Sequence, residues 1–157
     1  MNKIAVSICI ACLFFVTSSC FHTASSDMQK CKELISKEIK ESKTSFIFVG
    51  TQWCRACKST LEEQFLQNPL LQEDSIGAVV VYFSNESSYL DSLLLDVNYK
   101  GVFYRFDSYG GVDKLVANDL LKKTIPDFKN VNYMPIMLEI DSQGNYSQWH
   151  YISPSSL

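Results

Sequence analysis

Apolar residues fall into two kinds of run along this chain. Met28, Cys31, Leu34, Ile35 and Ile39 recur at helical spacing with Lys and Glu between them, which predicts an amphipathic helix. Ser45-Phe-Ile-Phe-Val-Gly50 and Gly77-Ala-Val-Val-Val-Tyr-Phe83 are short and almost unbroken instead, the pattern of strands buried on both faces. Leu61, Phe65 and Leu66 give one apolar face to a helix that begins near Cys54. Asn68-Pro69 interrupts it, because proline lacks the N–H and its ring clashes with the preceding turn. Ser84-Asn85-Glu86-Ser87 supplies capping side chains for a helix carrying Leu90, Leu93, Leu94 and Val97, which Gly101 is expected to end. Val102 to Phe106 reads as a short strand and Gly110-Gly111 as a loop. Val112, Leu115, Val116 and Leu120 then form the face of a helix that Pro126 stops. Residues 135–140, the turn 141–145 and residues 146–152 make a β-hairpin pattern with Gly144 in the turn. Helices and strands alternate from 28 to 152 before a short tail, 153–157. That order predicts one α/β domain with a central mixed sheet, an antiparallel C-terminal edge and flanking helices.

The start of the chain follows another pattern and moves the domain boundary. Met1-Asn2-Lys3 and the apolar run 4–16 read as the charged and hydrophobic regions of a targeting segment. The run is too short for the roughly 20 residues that span a bilayer. Ser18-Ser19-Cys20 follows and resembles the lipobox of bacterial lipoproteins, with Thr17 where that pattern usually has Leu. Residues 1–19 are therefore read as a lipoprotein signal peptide, Cys20 as the acylated new N-terminus, and 20–27 as a polar tether. Simple secretion with nearby cleavage, or an ordinary thiol at Cys20, are the other readings. The expected location is the bacterial cell envelope, on a lipid anchor and facing the periplasm.

Composition adds two exclusions and one question. The chain is 46% hydrophobic and 20% charged, as in ordinary globular proteins. Its net charge of −3, made more acidic by loss of Lys3, gives no basis for binding nucleic acid. A domain of this size holds its core without cross-links, so the cysteines need another reason. Cys9 and Cys12 leave with the signal peptide. With Cys20 acylated, three thiols remain in a compartment where disulfides persist, and one pair plus one leftover is the simplest count. Cys31, on the apolar face of its helix, reads as core packing.

Cys54 and Cys57 carry the chemistry. They stand three residues apart, directly after a strand and at the start of a helix, so both can lie near the helix N-terminus. Exposed N–H groups and the positive end of the helix dipole favour a thiolate there, and thiolate is the nucleophile of disulfide exchange. Two other uses of the pair are weaker. A disulfide closing so small a loop removes chain entropy worth only about 2 kcal/mol, against almost 5 for a loop of about 100 residues. A closed zinc site needs four ligands, for which only the scattered Cys31, His22 and His150 remain.

Strand, Trp53-Cys54-Arg55-Ala56-Cys57-Lys58, helix, and later Met134-Pro135 opening a strand–turn–strand together resemble the thioredoxin superfamily. From Val79 to Tyr151 the chain looks most like the TlpA/ResA group, whose Ile-Asp-x-x-Gly element matches Ile140-Asp141-Ser142-Gln143-Gly144. The resemblance implies a thioredoxin-like fold and a thiol–disulfide oxidoreductase. Cys54 would attack and Cys57 resolve, with Trp53, Arg55 and Ala56 flanking them. Pro135 would be a cis-proline facing the disulfide, and Met134 would offer its backbone to an extended substrate. No cofactor beyond the Cys54–Cys57 disulfide is implied, and no resident metal. Implied partners are protein thiols and disulfides, a membrane disulfide reductase among them, met by a monomer. Three features depart from the family. Phe48 occupies the place of the buried Asp that moves the proton of the resolving thiol; Glu139 either replaces it or faces solvent. Arg55-Ala56 replaces Gly-Pro. The sequence to Leu157 leaves no room for the usual last helix. A reading from a different class is a non-catalytic carrier of a soft ion such as copper, using Cys54, Cys57 and Met134.

Overall fold

The computed structural model describes residues 26–86 and 88–148. Residues 1–25, which carry the expected signal peptide, Cys20 and the first part of the expected tether, lie outside the described residues, as do Ser87 and residues 149–157 with the end of the expected hairpin and the tail. The chain divides into two units, 1–31 and 32–157. The described part of the first is helical, and that helix, α1 (26–41), runs on into the second. Its predicted face is buried at Cys31, Ile35 and Ile39.

The second unit is built on a five-stranded sheet. In chain order its elements are β1 (Thr44–Thr51), α2 (Arg55–Thr60), β2 (Ile76–Phe83), α3 (Ser88–Asp96), β3 (Val102–Phe106), α4 (Asp113–Thr124), β4 (Ile136–Asp141) and β5 (Tyr146–Gln148). The strand order is β3-β2-β1-β4-β5. β1, β2 and β3 run parallel, and β4 and β5 complete the sheet antiparallel. The unbroken apolar runs thus become the two central strands, covered on both faces. Phe46, Phe48, Ala78, Val80, Tyr82 and Met137 point to one face and pack with Cys57, Leu61, Phe65 and Leu90 from the elements that follow β1 and β2. Ile47, Val49, Val79, Val81 and Leu138 alternate to the other face and are fully buried. Ala117, Leu120 and Leu121 of α4 are equally buried and belong to none of that first cluster.

Register decides what meets what. Val49 pairs with Ile136 and Thr44 with Asp141. Because β4 is antiparallel to β1, its first residues stand beside the last residues of β1, and Met134-Pro135 comes alongside Cys54. After α2 the helix continues through a π turn, Leu61–Phe65, and a 3₁₀ turn, Pro69–Gln72, which Asn68 caps through its side chain.

The capping expectation for α3 falls next to the helix on Ser87, which lies outside the described residues, while the side chains of Ser84 and Asn85 turn back to Gln52 and Ser108. Two other expectations need correction. Gly101 does not end α3, which stops at Asp96 and is closed by Asn98 in the left-handed region (φ 50°). Gly101 serves a close approach instead, since a Cβ there would collide with the carbonyl oxygen of Ala78. Val112 and Leu115 are exposed rather than buried, because α4 starts only at Asp113 and turns Asp113, Ala117, Asn118 and Leu121 inward.

Candidate active site

Cys54 and Cys57 are joined in a disulfide with their Cα atoms 5.2 Å apart. The two ends differ in environment. Cys54 is the N-cap of α2, half-buried, and its Sγ accepts the Cys57 N–H at 3.1 Å. Cys57 is fully buried among Phe48, Leu61 and Phe65, with the Phe48 and Phe65 rings 5.4 Å apart. Trp53 is 68% exposed, and Arg55 and Ala56 are exposed beside it. Lys58, one residue further, places Nζ 4.3 Å from the centre of the Tyr89 ring. The predicted residues on the far side of the chain arrive at the same place. The Met134–Pro135 bond is cis, and the Met134 carbonyl oxygen lies 3.6 Å from Cys54 Sγ. Asn118 fixes the approach to it, accepting the Val131 N–H at 2.9 Å and donating to the Val131 carbonyl at 3.1 Å.

Two groups held over from the sequence are settled by position. Cys31 is a free buried thiol, which burial pushes up to about 12. Glu139 lies opposite Phe46 on the face that carries Phe48, two residues beyond Met137 along β4. At the strand rise that puts it about 7 Å further from the disulfide end of the sheet than Met137. A hollow of about 340 Å³ lined by Glu38, Glu73, Asp74 and Lys100 lies at the opposite end of β2 from the cysteines. Among the described residues no three His, Cys, Asp or Glu side chains gather around one point, and no helix is long and apolar enough to cross a membrane.

The turn that carries Cys54 is held by groups that the sequence reading missed. Asp113 is 1% exposed, and its carboxylate accepts from Thr51 Oγ1 (2.6 Å), Ser108 Oγ (2.5 Å) and the Tyr109 N–H (2.7 Å). Ser108 and Asn85 bond each other reciprocally, and Gln52 Oε1 accepts from Ser84 Oγ and the Asn85 N–H, each at 2.9 Å. Gln52 follows Thr51 in the chain, so these bonds close into a ring beneath residues 51–54. An acid in the first turn of a helix is ordinarily an exposed dipole partner. Only the polar residues that follow β2 and β3 signalled this one: Ser108 and Tyr109 stand five and four positions before it, while Thr51 lies 62 positions away.

No protein family model matches the chain, and no curated protein matches it. Solved structures do. A secreted disulfide oxidoreductase of Mycobacterium tuberculosis, homologous to E. coli DsbE, is 12% identical over 73% of each chain with a TM-score of 0.47. A thiol:disulfide interchange protein of the thioredoxin family from Chlorobium tepidum is 13% identical over 71% of this chain and 70% of its own, also at 0.47. StoA of Bacillus subtilis is 16% identical over 71% and 75%, at 0.42. Sheet order and register identify the architecture independently of these likenesses. A strand ending in a Cys-x-x-Cys helix, paired antiparallel with a strand that opens on a cis-proline, gives this chain a thioredoxin-like fold.

Proposed function

We propose that the protein is a thiol–disulfide oxidoreductase that exchanges protein dithiols and disulfides through Cys54 and Cys57. The observation that carries this is the asymmetry of the pair: Cys54 is within reach of solvent at a helix N-terminus, and Cys57 is sealed behind it. In the reducing direction the Cys54 thiolate attacks one sulfur of a substrate disulfide. A mixed disulfide forms and the other substrate sulfur leaves as a thiolate. Cys57, giving up its proton, then attacks Cys54 Sγ, releasing the second substrate sulfur and closing the Cys54–Cys57 disulfide. Two electrons pass from the protein to the substrate, and the oxidising direction is the reverse. The Cys57 N–H bond to Cys54 Sγ stabilises the attacking thiolate. Trp53, Arg55, Ala56, Met134 and Pro135 form the rim on which an extended substrate segment lies, with the Met134 backbone as its pairing edge. Phe48 offers no acceptor for the Cys57 proton, which passes to the substrate thiolate released in the first step or to water.

The test is a Cys57→Ser variant expressed in cells. A mixed disulfide on Cys54 that disappears on reduction and is absent from Cys54→Ser is the expected result; no adduct on either variant overturns the reading.

The protein works in the bacterial envelope on a lipid attached to Cys20. This part rests on the sequence pattern 1–20, and mass spectrometry of the membrane fraction tests it. An acylated N-terminal Cys20 is expected; an unmodified Cys20, or a chain beginning further on, leaves a secreted protein without an anchor.

A further inference from the structure

We propose that Asp113 is a positioning residue for the disulfide, acting through Thr51 to hold the turn 51–54 in the geometry in which Cys54 meets Cys57. The inference rests on the redox reading above and concerns what sets the equilibrium of that pair. A carboxylate that is 1% exposed is costly to take out of water unless it is well hydrogen-bonded, and an apolar residue there would avoid that cost. Among the described residues Asp113 has no ion-pair partner. Its three donors all come from segments that meet at the foot of the Cys54 turn: Thr51 at the end of β1, and Ser108 and Tyr109 after β3.

The path to sulfur is short. Thr51 offers its hydroxyl to Asp113 and its carbonyl to the Cys54 N–H at 3.1 Å. Gln52 is pinned on both sides, its N–H donating to the Phe83 carbonyl at 2.9 Å and its side chain joining the ring. Cys57 is fixed separately, on α2 in the core. A dithiol closes to a disulfide in proportion to the effective concentration of one sulfur at the other, and that concentration is high only while both backbones are held. Loosening the Thr51 side therefore makes the disulfide easier to reduce.

Thr51→Val keeps the side-chain shape and removes the hydroxyl, whereas Thr51→Ser keeps the hydroxyl; both leave the Asp113 charge in place. In the full chain, Thr51→Val should lower the equilibrium constant for forming Cys54–Cys57 from oxidised glutathione about tenfold, about 30 mV. Hydrogen exchange of the Cys54 amide in the oxidised protein should quicken by a similar factor. Thr51→Ser should match the wild type within about twofold in both, a rescue that mere filling of space would not give. Wild-type values in Thr51→Val, or an equal shift in Thr51→Ser, overturn the proposal. Should Thr51→Val fail to fold, Gln52→Ala opens the ring at a half-exposed residue and must produce the same pair of shifts; wild-type values there overturn it equally. A wild type that never equilibrates with glutathione sinks the redox reading, while the amide-exchange comparison still decides for or against the ring.

Discussion

The three cysteines among the described residues should differ in reactivity by orders of magnitude once the disulfide is reduced, and the structure sets the size of the difference. Burial pushes the Cys31 thiol up to about 12, so at pH 8 roughly one molecule in 10⁴ carries the thiolate. A free cysteine, near 8.5, is already about one-quarter thiolate at pH 8, and the helix N-terminus and the Cys57 N–H both favour the thiolate of Cys54 further. The more basic thiolate is the better nucleophile, and with a Brønsted slope of about 0.4–0.5 over the roughly 3.5 units between a free cysteine and Cys31 this returns about 1.5 orders of magnitude to Cys31. A preference for Cys54 of about 10² is left, and the complete burial of Cys31 multiplies it. The assay is a timed iodoacetamide pulse on the reduced native protein from pH 6 to 10, read by peptide mass. Cys54 labelling should level off at a lower pH than that of a free cysteine, and Cys31 labelling should keep rising about tenfold per unit. Cys57, fully buried among apolar side chains, should label slowly throughout. Cys57 or Cys31 reacting within tenfold of Cys54 at pH 8, in protein that keeps its native circular dichroism, would refute the reasoning.

Phe65→Ala removes a fully buried ring that packs on Phe48, and should cost about 3–5 kcal/mol in urea unfolding; a loss under about 1 would show that the core collapses into the space. Burial, with Glu62 adding to it, raises the Tyr82 hydroxyl to about 12 from the ordinary value near 10. Below pH 10 both folded and unfolded chains hold that proton. Above it the unfolded chain releases the proton first, so stability falls between pH 10 and 12, and Tyr82→Phe should lose less stability than the wild type on going from pH 9 to 11. Arg55, exposed and next to Cys54, favours the reduced form by stabilising its thiolate. Because Phe48 also removes the nearby acid that the thioredoxin family carries, the wild-type potential should lie on the oxidising side of thioredoxin's roughly −270 mV, between about −260 and −180 mV, and Arg55→Glu should be more reducing, by on the order of 15 mV after screening. Equal potentials by glutathione titration would show that this charge does not reach the couple.

Much of this was legible in the sequence because it depends on runs and neighbours. The two unbroken apolar runs became the central strands, the element order held, and Met134-Pro135 stood out by its place before a strand. Cys31 followed its helical face into burial. What escaped depends on partners far apart in the chain. Asp113 reaches Thr51 across 62 positions, and Asn85 reaches Ser108 across 23, so nothing local distinguishes them from ordinary helix-start and turn residues. Ser84 and Asn85 look like capping residues for that reason: their side chains offer the same chemistry to a helix end as to Gln52 and Ser108. Val112 and Leu115 misled because an apolar pair at helical spacing says nothing about whether the helix starts early enough to turn it inward.

The antiparallel pairing of β4 with β1 has a consequence for how such a protein can change over generations. Cys54 and Met134 are 80 positions apart, yet their meeting depends on one ladder whose register fixes Val49 against Ile136. Everything between is an excursion that leaves β1 and returns. The entropy of closing it grows only with the logarithm of its length, so doubling it would cost only about 0.6 kcal/mol, within the net worth of a single hydrogen bond. New helices or loops can therefore be accepted into the excursion while the sulfur and the carbonyl opposite it stay in place, provided the insertion spares the residues that tie α4 to the two ends. The reacting centre is in this sense portable, carried by two adjacent strands together with α2 and the ring at Asp113, and tolerant of added length elsewhere in the chain that joins them.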